Sequence, residues 1–114
     1  MAFTWPDVLR LAQGLAGNGD EASLRSAMSR AYYSAFNHAR QWLTAQGVHV
    51  PTTGRAHQVV WNELENHGHA VPATIGRTLR TTRNRADYDD VLPFDPVGQA
   101  QLAIAQAQQI IAAL

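Results

Sequence analysis

Leu24, Met28, Ala31, Ala35, Ala39 and Trp42 recur every three or four residues, and Tyr32, Phe36 and Leu43 form a second apolar row beside them. That spacing predicts a long helix from a cap at Asp20 to about Gln46, with Gly47 as its stop. A helix with two apolar rows is expected to be central and packed on more than one side. Before it, Thr4 is read as the cap of a short helix with Pro6 and Asp7 in its first turn, running through Ala16 to the break at Gly17-Asn18-Gly19. After it, Pro51-Thr52-Thr53-Gly54 forms a loop. A third helix then spans about Arg55 to Asn66, turns Val60, Trp61 and Leu64 inward, and ends at His67-Gly68-His69.

Pro72 is taken to open a fourth helix in which Ile75, Leu79, Thr82 and Ala86 share the inner face, with its pattern reaching about Asp89 before Pro93. Asp95-Pro96 reads as cap and first residue of the last helix, where Val97, Ala100, Ile104, Ala107, Ile111 and Leu114 step by three and four. No segment shows strand alternation. The expected fold class is all-α: four main helices in an antiparallel bundle plus a short N-terminal helix, one domain over residues 1–114. The three tryptophans, Trp5, Trp42 and Trp61, are assigned to the core, with covering the bundle's end as the alternative for Trp5.

Composition narrows the chemistry. The absence of cysteine removes disulfides, thiolate nucleophiles and thiolate metal sites. Neither a basic region followed by an apolar run at the N-terminus nor a stretch of about 18 apolar residues is present, so a cytoplasmic location away from the membrane is expected. Ser29 and Ser34 lack a histidine–carboxylate pattern, and no glycine-rich phosphate loop occurs, which argues against a serine hydrolase and a P-loop nucleotidase. His67-Gly68-His69 reads as a surface turn, and neither a metal nor a cofactor is expected.

Nine basic residues, all arginine, balance nine acidic ones, yet four arginines fall between Arg77 and Arg85 and three aspartates follow at once. At ~100° per residue the side chains of Arg77, Arg80, Arg83, Asn84, Asp87 and Tyr88 spread around the faces that Leu79 and its partners leave free. Arg83 with Asp87 and Arg85 with Asp89 are i,i+4 pairs, worth only ~0.2–0.5 kcal/mol each on an exposed helix and in the less favourable order. Aspartates at a helix C-terminus also oppose its dipole. A cluster that stabilises so little is a candidate phosphate site.

The stretches Arg30-Ala31-Tyr32-Tyr33-Ser34-Ala35-Phe36 and Arg83-Asn84-Arg85-Ala86-Asp87-Tyr88 resemble the two-part signature of the small prokaryotic HEPN domains, R-A-Y-Y-x-A-F followed by R-x-x-A-D-Y. The loop and single helix between them match as well. His57 resembles the histidine that often opens the intervening helix, and the likeness covers about residues 20 to 112. The resemblance implies a helical homodimer, often paired with a minimal nucleotidyltransferase in toxin–antitoxin or defence modules. Many relatives are metal-independent ribonucleases whose site is an arginine, four to six intervening residues and a histidine. Here no arginine is followed by histidine at that spacing, and Tyr88 stands where Arg83 would meet it.

Arg77, Arg80, Arg83 and Arg85 are therefore the candidate ligands for RNA or a nucleotide. Arg83, Asp87 and Tyr88 are candidate catalytic residues of a divergent endoribonuclease, and a non-catalytic interaction module is the third reading. The resemblance also allows Tyr88 as an acceptor for modification by a partner nucleotidyltransferase. Imidazole near pH 6.5 exchanges protons at neutral pH far better than a phenol near 10. His57 and His38 are thus substitute bases if the fold brings one beside the arginines. Otherwise His57 is expected to cap or pack its helix, and Tyr32, Tyr33 and Phe36 to fill the core or a dimer seam.

Overall fold

The structure, a computed structural model, describes residues 2–114; Met1 lies outside them. It is all-helical: α1 Pro6–Ala16, α2 Glu21–Ala45, α3 Ala56–Asn66, α4 Ala70–Tyr88 and α5 Pro96–Ala113. No strand occurs among the described residues. The helix α2 touches all four others, as its two apolar rows require.

Local chemistry accounts for most of the boundaries. Asp20 caps α2 by accepting from the Ser23 N–H at 3.0 Å, and Asp95 caps α5 by accepting from Val97 and Gly98. Gly47, at φ +88°, supplies the left-handed residue after α2, where a side chain would be strained. The start of α1 differs from expectation. Trp5 is its N-cap residue, and Thr4 contributes through its backbone: the Thr4 N–H donates to Asp7 Oδ2 at 2.9 Å, the reverse arm of a capping box. Helix α4 begins at Ala70, two residues before Pro72, because proline is tolerated throughout the first turn, where its missing N–H has no partner to lose.

The core is one cluster in which Met28, Leu43, Leu64, Leu79 and Ile110 are wholly buried, each worth ~1.5–3 kcal/mol. The inner face of α4 keeps three of the four expected residues, Leu79, Thr82 and Ala86, whereas that of α5 is rotated from the expected one. On α4 the buried residues are Ala73, Gly76, Leu79, Thr82 and Ala86, with Ile75 only half-buried. On α5 they are Ala100, Ala103, Ala107 and Ile110, which leaves Val97 exposed. Small residues go inward because the helices approach closely: a Cβ built on Gly76 would lie 2.4 Å from the Trp61 ring. Of the tryptophans only Trp61 is in the core; Trp5 and Trp42 are half-buried at its edge.

Candidate functional site

Helix α4 carries the four arginines, and its twist sends them to three different places. Arg77 leans on α3, donating to Glu65 Oε1 at 2.7 Å and to Asn62 Oδ1 at 2.9 Å. Arg83 is 14% exposed and turns toward α2, its guanidinium carbon 5.0 Å above the Tyr33 ring and 5.6 Å from that of Tyr88. Its Nε lies 2.8 Å from Asp87 Oδ2, off the N–H axis, so this is a charge contact and not an aligned hydrogen bond. Arg85 points the other way, pairing with Asp89 at 3.2 Å beside Phe94 and Gln99. Both i,i+4 pairs expected from the sequence are thus formed, and three of the four charges have a carboxylate partner.

Arg80 is the exception. Its Nε is buried with no hydrogen-bond partner, and it makes no ion pair with any described carboxylate. A buried donor left unmatched costs ~1–3 kcal/mol; Nε itself is closed to solvent, so a ligand would be met by the terminal nitrogens of Arg80, which have no hydrogen-bond partner among the described residues. Arg80 lines a cleft of about 370 Å³ between α3 and α4, together with Arg77, Gln58, Asn62, Asn84 and the Trp61 ring. Guanidinium and amide donors there suit a phosphate, while the Trp61 ring, 1% exposed and packed against Gly76, closes the cleft without offering a face for stacking. No described carboxylate lines the cleft, and Glu65 on α3 is engaged by Arg77.

Of the candidate catalytic residues, Arg83, Asp87 and Tyr88 do come together, but around Arg83 and not around the cleft. Asp87 Oδ2 also lies 3.3 Å from the Ser29 hydroxyl, which ties α4 to α2. Tyr88 is 73% exposed and touches Arg83 with its ring face. Asp87 and the two aromatic rings thus hold Arg83 in place, as its low exposure reflects.

Two histidines are in play, and only one is near the arginines. His57 stacks on Phe36 at 4.5 Å and meets the Tyr33 ring edge-on at 6.1 Å; Tyr33 carries Arg83. Burial lowers its pKa, and the positive charges of Arg80 and Arg83 push it down further, so the ring is neutral at pH 7. Its Nδ1 lies 2.7 Å from the Tyr32 hydroxyl. Burial alone lowers the pKa of His38, whose Nε2 is buried without a partner. His57 accordingly packs α3 against α2 and does not cap its helix.

Sequence reasoning missed Arg25. Its guanidinium reaches from α2 to the end of α4, donating to the carbonyls of Ala86 at 3.2 Å and Asp90 at 3.3 Å and also to that of Asp89. A cation on these free carbonyls offsets the unfavourable aspartates there. No local signal marks it, because the partners lie more than sixty residues away. Tyr33, expected with Tyr32 and Phe36 to fill the core or a dimer seam, instead has its ring under the Arg83 guanidinium.

No protein-family model, no curated protein and no solved structure matches this chain.

Proposed function

We propose that this protein is a HEPN-like helical protein that binds RNA or a nucleotide, with phosphate seated in the α3–α4 cleft on Arg80 and Arg77. The observation that carries the reading is the unmatched guanidinium of Arg80 in a cleft whose other lining groups are three amides, a second arginine, a threonine and a buried indole, with no described carboxylate. Arg83 is engaged by Asp87, Tyr33 and Tyr88, and Arg85 lies on the far side of α4, outside the cleft. Resemblance supplies the rest of the reading: a homodimer working with a nucleotidyltransferase partner in a toxin–antitoxin or defence module, in the cytoplasm. The adjacent exposed side chains Tyr88 and Val91, 73% and 84% accessible, offer apolar surface to a second copy.

The test compares Arg80→Ala with Arg85→Ala in binding to single-stranded RNA at two salt concentrations. A hydrogen-bonded phosphate contact worth ~1.5–3 kcal/mol predicts a loss of about tenfold or more for Arg80→Ala, with a shallower salt dependence. Arg85→Ala should bind within about threefold of the parent, since a charge distant from the phosphate contributes little through screening solvent. The melting temperature of Arg80→Ala should stay level or rise, because an unmatched buried donor is removed. Equal affinity in Arg80→Ala and the parent would overturn the reading in favour of a non-catalytic interaction module. Cleavage of the RNA would place the protein with the endoribonucleases.

A further inference from the structure

A second cavity, of about 410 Å³, lies between α2, the loop before α3 and the start of α3, and shares no lining residue with the Arg80 cleft. Arg40, Asn37, Thr52, Thr53 and His57 line it along with Phe36, and no acidic residue does. The charge in it is pre-set. Asn37 donates its Nδ2 to the Tyr33 carbonyl at 3.0 Å, which leaves Oδ1 to accept from Arg40 Nε at 3.2 Å. That single neutral contact steers the guanidinium and leaves its terminal nitrogens without a carboxylate.

The tautomer of His57 follows from a donor count. The Trp61 indole N–H can only donate, and it does so to the Tyr32 hydroxyl at 3.2 Å. Tyr32 is completely buried, so its own proton must go to its other neighbour, His57 Nδ1 at 2.7 Å. Were the imidazole to donate instead, the phenolic proton would be buried without an acceptor. Nδ1 is therefore the acceptor, and the proton of the neutral ring sits on Nε2, which has no partner among the described residues. Stacking on Phe36 and Tyr32 fixes the ring plane.

We propose that this cavity binds a small organic oxyanion, a phosphate or carboxylate on a compact apolar body, through the Arg40 guanidinium and the Nε2–H of His57. The charged and imidazole groups with a free valence there are donors and no described carboxylate lines the cavity, which favours a ligand rich in acceptors. Phe36, Val50, Pro51 and Ala56 supply an apolar wall for the body of the ligand, and the volume suits a small molecule. The site is independent of the Arg80 reading.

The experiment follows the His57 side chain by nitrogen-15 NMR in the full chain at neutral pH while inorganic phosphate, adenosine monophosphate and benzoate are added in separate titrations. Before any addition, the spectrum should show the Nε2–H tautomer. At least one anion should then shift the His57 signals saturably, on the order of millimolar or tighter. Arg40→Ala should weaken that binding about tenfold or more, since it removes a charged partner, with Arg40→Gln as the second variant should alanine disturb the fold. Arg77→Ala, which alters the α3–α4 cleft and is not among the charges acting on His57, should leave it unchanged, which separates this site from that cleft. Response to phosphate and the monophosphate alone would assign a phosphate ligand, and response to benzoate alone a carboxylate. An Nδ1–H tautomer, no saturable shift with any of the three, or a shift indifferent to both Arg40 variants would overturn the proposal.

Discussion

The hydroxyl of Tyr32 on α2 lies 2.7 Å from Nδ1 of His57 on α3, and the same oxygen accepts the Trp61 indole N–H at 3.2 Å. One buried phenol thereby satisfies two polar groups of α3, and burial raises its own pKa far above the ordinary phenol value. It is protonated at neutral pH and well above it, and so serves as the donor to His57. This contact sets both the packing of α3 on α2 and the proton that His57 presents elsewhere.

Tyr32→Phe keeps the ring and removes the hydroxyl, leaving the Trp61 N–H buried and unmatched. The expected loss is ~1–3 kcal/mol, read as a lower denaturation midpoint with an unchanged slope. Nitrogen-15 spectra should then show His57 sampling both tautomers. An unchanged midpoint together with a single Nε2–H tautomer would show that the bond does not govern either property.

Stability should depend on pH through the histidines. His57 has its pKa lowered by burial and then by Arg80 and Arg83, and His38 by burial. A histidine unfolded near ~6.5 but lower when folded binds more protons in the unfolded chain between those values. Its contribution is therefore complete above about pH 6.5 and is lost as pH falls through the folded value. The melting temperature should hold between about pH 7 and 8 and drop on going to about pH 5, well above the range where Asp7 and Asp20 protonate. His57→Gln should flatten part of that drop. A melting temperature that is level or rising toward pH 5 would contradict the assignment.

Gly76→Ala sets helix propensity against packing. Alanine gains up to ~1 kcal/mol in a helix interior. Its Cβ would nevertheless come within 2.4 Å of Trp61, itself 1% exposed and unable to move freely, and such overpacking costs ~1–3 kcal/mol. The net expectation is a lower melting temperature, with altered Trp61 fluorescence as the ring is displaced. A rise in melting temperature would mean that α3 and α4 separate at little cost.

The sequence by itself determined the all-helical class, the order of the five helices and the caps at Asp20 and Asp95, because helix hydrogen bonds and capping contacts join residues only a few positions apart. It also determined the i,i+4 pairs of Arg83 and Arg85, which geometry within one helix dictates. It also placed Leu79, Thr82 and Ala86 on the inner face of α4, but the burial of Ala73 and Gly76 there and the inward face of α5 were decided only in three dimensions. Alanine and glycine suit either side of a helix, and the bulk of Trp61 selects Gly76. Charge matching was decided there too: Arg77 finds Glu65 across the α3–α4 contact, Arg25 reaches the end of α4, and Arg80 is left without a partner. These outcomes depend on distances between residues far apart in the chain, which packing sets and local periodicity does not encode.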